Sequence, residues 1–173
     1  ADVINGKMNS TISLNGFLTQ DMIPDVKSIS GDLMGNILQG SLNKNKSALL
    51  TELDAKATFL DLKDINLKDV KAVLSFINGK VAVKPFTLKH KDISVQIAGS
   101  HGFDQNMDYN LKFDVPVKYL GNDVNKLLAK VTPADAKKIE SVPVNAMMSG
   151  NFKSPKVTTD VQQASKNVAS QLI

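Results

Sequence analysis

Two histidines, His90 and His101, are the side chains best suited to proton transfer or metal ligation near neutral pH. One stands at a strand end and the other in a Gly-flanked turn. Neither has the spacing of a metal pair, and no carboxylate–histidine motif surrounds them. Both therefore read as solvated surface histidines. Asp61 with Asp64, and Asp104 with Asp108, have the form of paired carboxylates for acid–base work. They fall in charged turns, where water solvates them. Gly99-Ser-His-Gly102 superficially resembles a nucleophile or phosphate loop. It lacks the strand–turn–helix context and the glycine spacing that give those motifs their chemistry. The chain has no cysteine, which removes thiol catalysis, disulfides and Cys-based zinc sites. The expected catalytic, metal and cofactor sets are empty, and the chain reads as no enzyme.

The elements that would position a site are strands. Asp69 to Ile77 meets Asn78-Gly79, and Lys80 to Leu88 follows at once; Asn-Gly between β-rich runs is a strong hairpin signal, because a type I′ turn needs φ > 0 at both central residues. Ile93 to Ala98 follows, breaking at Gly99–Gly102. From Met107 to Val117 the alternation is nearly unbroken. Met107, Tyr109, Leu111, Phe113, Val115 and Val117 take one face, and polar residues the other. Pro85 sits inside a strand pattern where the inward positions shift from Val81 and Val83 to Phe86 and Leu88, so a bulge or an edge is expected there.

Upstream, Met8, Ile12 and Leu14 share a face, and so do Ile29, Gly31, Leu33, Gly35 and Ile37; the repeated glycines predict a strongly curved sheet. Asp21-Met-Ile-Pro-Asp25 reads as a turn. Helical spacing appears at Leu49, Leu50, Leu53, Ala57 and Leu60, with Asn45 or Ser47 as cap. Two short helices follow Gly121, the second capped by Thr132 with Pro133 at its first position. Val142 to Phe152 is a further strand, closed by Ser154-Pro155-Lys156. Met147 and Met148 are assigned to the core. The tail carries Val161, Ala164, Val168 and Leu172 at helical spacing. The fold class is α+β: a curved antiparallel meander of about six to eight strands, with a few short helices packed on one face or end. Residues 1–157 form the sheet domain and 158–173 an amphipathic tail.

At 173 residues, 42% hydrophobic and 22% charged, the composition is that of a globular domain. Net charge is +4, from lysines scattered along the chain. Aromatics are too few to interleave with basic residues as a nucleic-acid platform, so nucleic acid is not an expected partner. No run of 18 apolar residues occurs. Ala1-Asp-Val-Ile-Asn-Gly opens inside a strand-like pattern, as a piece cut from a longer protein would.

Phe76-Ile-Asn-Gly-Lys-Val-Ala-Val-Lys-Pro-Phe86 resembles a signature of the AsmA-like C-terminal region. Gly99-Ser-His-Gly-Phe-Asp-Gln105, Met107-Asp-Tyr-Asn-Leu111 and Asp114-Val-Pro-Val117 resemble the segments that follow it. Leu14-Asn-Gly16, Asp21–Asp25 and Ser28–Gly31 fit upstream; Val142-Pro-Val144 and Gly150-Asn-Phe-Lys-Ser-Pro-Lys-Val157 fit downstream. The ordered set covers nearly the whole chain. The resemblance implies a periplasmic module, tethered to the inner membrane by an N-terminal helix absent from this chain, and linked to outer-membrane biogenesis. Larger relatives, similar to the TamB and YhdP proteins, are thought to carry phospholipids along β-sheet grooves. The partner so implied is phospholipid or another acyl-chain lipid, with inner- or outer-membrane or envelope proteins as further partners. A groove of this kind would be lined by Phe76, Phe86, Ile97, Tyr109, Leu111 and Phe113. The rival reading is a structural or interaction module whose own Leu49, Leu53, Leu127 and Leu128 fill the concave face.

Overall fold

The computed structural model describes residues 3–172; the readings that touch Ala1, Asp2 and Ile173 lie outside them. Eight strands pair antiparallel in strict chain order: β1 (Ile4–Asn15), β2 (Ser30–Leu42), β3 (Ile65–Ile77), β4 (Lys80–His90), β5 (Ile93–Gly102), β6 (Asn106–Pro116), β7 (Ser141–Asn151) and β8 (Ser154–Thr159). The helices are α1 (Ala48–Lys56), α2 (Asn122–Leu128), α3 (Pro133–Ala136) and α4 (Val161–Gln171). The expected α+β meander with short helices is the observed fold.

Its turns follow from residue type. Asn78 and Gly79 both take positive φ, 50° and 74°, so β3 and β4 join through the two-residue hairpin that Asn-Gly favours. Ser47 accepts the Leu50 N–H at 3.2 Å, and Thr132 that of Asp135 at 3.2 Å, so both predicted caps close. Between β4 and β5, Val83 faces Gly99 and Phe86 faces Ile97, leaving Lys84 and Pro85 opposite the single residue Ala98. This is the bulge expected at Pro85. A second irregularity lies farther upstream. Ile37 faces Val70 and Gln39 faces Lys68, so Leu38 and Asp69 stand outside the paired register, with Asp69 at φ 52°.

These phase breaks keep one face apolar across all eight strands. One cross-sheet row reads Ile12, Leu33, Leu74, Val83, Gly99, Tyr109 and Met148. The opposite face carries Lys68, Lys71 and Lys112 among Asn, Ser and Thr. Met147, assigned to the core from sequence, points to that polar face and is exposed. Period two admits only one of two consecutive residues to the core, and Met148 takes the place.

The helices cover one end of the apolar face. The link from β2 to β3, containing α1, crosses to the far edge, where the Thr159 hydroxyl donates to the Lys56 carbonyl at 3.5 Å. Phe59, just after α1, packs edge-on against Phe113 with centroids 5.3 Å apart. Val168 of α4 is buried in the same core. The sheet therefore curls around a helical plug, and each large apolar side chain so buried contributes about 1.5–3 kcal/mol.

Candidate functional site: the open half of the apolar face

The plug leaves the other half of that face uncovered. On β1, Ile4, Met8, Ile12 and Leu14 point to the apolar side yet are exposed, Met8 at 61% and Ile12 at 56%. Their inner neighbours Leu33, Ile37, Val70, Leu74 and Phe76 are half-buried. This strip, from β1 to the β3–β4 hairpin, is an open apolar sheet surface, while the depressions over β1–β3 open on the opposite face, one of about 310 Å³ lined by Thr11, Met34 and Lys71. Toward the hairpin end it meets an aromatic group. Phe76 stacks on Phe103 at 6.3 Å, and His101 sits 5.2 Å from Phe152, edge to face. A depression of about 670 Å³ opens there, lined by Val26, Lys27, Lys80, His101, Phe103 and Met107, with Asp104 and Asp108 also on its wall.

The six lining residues expected from sequence all project from this apolar face, but in two environments. Phe76, Phe86 and Ile97 are half-buried. Tyr109 lies under the hairpin end, and Leu111 (4% exposed) and Phe113 (3%) lie beneath the plug. An acyl chain would reach Phe113 only by displacing Phe59. Ile12, Leu14, Leu33 and Leu74 line the open strip instead. Their alternation was visible in the sequence, but no local pattern shows which rows a distant helix covers.

The histidines also differ from expectation. His90 is buried, not solvated: its Nε2 lies 2.9 Å from the Leu60 carbonyl oxygen and ties β4 to the plug. His101 is half-buried on the apolar face, with Nδ1 hydrogen-bonded to the Tyr109 hydroxyl at 2.8 Å. Burial holds the His101 imidazole below its ordinary pKa and pushes the Tyr109 phenol up. The neutral imidazole is thus favoured by folding. The unfolded chain binds that proton first, near pH 6.5, so the stabilisation is complete above about pH 6.5 and is lost as pH falls through the lower folded value. His101→Gln is expected to flatten the stability–pH curve below about pH 6.5, measured by urea unfolding in parallel with the parent chain.

Of the carboxylates, Asp61 pairs with Lys91 at 3.0 Å, and that hydrogen bond holds its pKa below the usual range. Asp104 accepts the Asn106 backbone N–H at 3.1 Å, with the same consequence. Both are exposed; Asp104 is tied within its own turn, and Asp61 to Lys91 in the turn between β4 and β5. Among the described residues no three His, Cys, Asp or Glu side chains gather as a metal site, and no helix is long and apolar enough to cross a membrane. What the arrangement offers is a surface for apolar groups. No family model matches the chain, and no curated protein or solved structure matches it either.

Proposed function

We propose that this chain is a non-enzymatic module of an AsmA-like periplasmic envelope protein, in which the open half of the sheet holds the acyl chain of a phospholipid during outer-membrane biogenesis. In this reading the module is tethered to the inner membrane through a segment outside this chain. One observation carries the lipid reading: a single sheet face is apolar over all eight strands, and the chain's own helices cover only part of it. Each methylene moved from water to that strip contributes about 0.8 kcal/mol, before the cost of ordering the chain. At the hairpin end Lys27 and Lys80 face Asp104 and Asp108, so charge does not select a phosphate. Affinity then follows acyl length rather than headgroup.

The test is native mass spectrometry of the purified chain, with Ile12→Asp and Leu14→Asp introduced together. Both residues are exposed, so the pair should move the urea midpoint little. Co-purifying phospholipid is expected to fall at least about tenfold, since burying a charge costs more than the 1.4 kcal/mol that tenfold represents. A parent chain that carries no lipid and takes up no fluorescent fatty acid overturns the lipid reading. The burial of Phe113 under Phe59 favours the second reading, an interaction module in envelope assembly, and that reading would then lead.

A further inference from the structure

The two edges of the sheet are built differently. The β8 edge is protected by several devices. It is only six residues long, carries Pro155 and Lys156, and has Thr159 hydrogen-bonded to the end of α1. Where β7 runs past β8, the Asn145 N–H donates to the Asp160 carboxylate at 2.7 Å. Short length, proline, lysine and a covering element are the means by which edge strands avoid pairing with other chains. The β1 edge has none of them to that degree. It runs twelve residues, Ile4 to Asn15, every one of them exposed, with no proline and Lys7 as its single charge. Among the described residues no element pairs with its outer side.

We propose that the outer edge of β1 pairs antiparallel with β1 of a second copy of this chain. The strand is its own complement. Its even-numbered residues lie on the apolar face and its odd-numbered residues on the polar face. Across a two-fold axis at Ser10, Met8 of one copy therefore stands beside Ile12 of the other, and Asn9 beside Thr11. Facing residues in an antiparallel pair project to the same side, so the apolar faces of the two copies meet on one side, interrupted at the axis by the Ser10 pair. Lys7 meets Ser13, and the two lysines stay apart. No charge is buried and no like charges are opposed, which a β-strand addition site requires.

Sedimentation velocity of the 173-residue chain over a wide concentration range tests this, with hydrogen exchange of β1. The expected result is a concentration-dependent dimer in which the outward β1 amides become protected. Asn9→Lys with Thr11→Lys places lysines opposite each other on the polar face, and should weaken the dimer about tenfold or more. Those positions lie off the apolar strip, so lipid uptake is unchanged, and loss of the dimer is separable from failure of the lipid reading. A monomer at every concentration with unprotected β1, or a dimer indifferent to the lysines, overturns the proposal.

Discussion

Phe59→Ala is expected to lower the unfolding free energy by about 3–5 kcal/mol, read from urea unfolding at unchanged slope. Phe59 is buried and its ring meets Phe113 edge to face, inside the core that also holds Leu53, Leu60, Leu111 and Val144. Nothing beside it can collapse easily into the space. One wall is a hydrogen-bonded sheet; the other is the 3₁₀ turn Thr58–Leu60, held by the Leu60 carbonyl's bond to His90. Both the transfer term and the cavity term should therefore appear. The same vacancy would bare Phe113 to the apolar strip, so uptake of an apolar dye should rise as stability falls. A loss below about 1 kcal/mol, outside the range for a buried Phe, would mean that the plug docks without belonging to the cooperative core.

The division into a plugged half and an open half is the part of this molecule that local pattern conceals. The hairpin at Asn78-Gly79, the shift at Pro85 and the caps at Ser47 and Thr132 were legible, because each is decided by one or two residues and their own backbone. Errors arose where a distant element decides. The sequence pattern starts the strand at Asp69, whereas pairing begins at Ile65. Asp69, at positive φ, breaks the alternation, so Ile65 and Leu67 fall out of phase with Val70 and Leu74, although all four share the apolar face. Ser154-Pro155-Lys156 reads as the close of a strand and is instead the start of β8. Proline is tolerated there because β8 is an edge. His90 reads as solvated from sequence, since nothing near it in the chain shows that the Leu60 carbonyl lies against it.

The candidate site shows the same limit. The apolar face was visible as alternation on β6 and, more loosely, on β1 and β2. Coverage of a face depends on where the β2–β3 connection travels, and that path is fixed by Leu53, Ala57, Phe59 and Leu60 seeking burial. Those residues are local in sequence, but what they cover lies on strands much farther along the chain. Phe76 and Leu111 are thus equivalent by pattern and different in exposure.

The curvature of the sheet depends on a second kind of residue, and Gly99→Ala is expected to show it with a loss of about 2–4 kcal/mol. Gly99 lies at φ 153°, which L side chains rarely adopt, and a Cβ there would stand 2.6 Å from the Tyr109 Cα and 2.7 Å from its Cδ1. The strand partner cannot retreat without parting β5 from β6. The ring of Tyr109 uses the space that glycine leaves, and from there its hydroxyl reaches His101. Alanine should therefore do two things at once. It strains the backbone, and it pushes Tyr109 aside, breaking the hydrogen bond and opening His101 to water. NMR titration of the His101 ring in Gly99→Ala should then show its pKa rising toward the ordinary histidine value, because burial is what lowers it. An alanine variant with parental stability and an unmoved His101 titration would show that the backbone relaxes freely at this position, and that the bend of the sheet is set elsewhere, at Gly31 on β2, where φ is 136° and a Cβ would stand 3.0 Å from the Leu14 Cα.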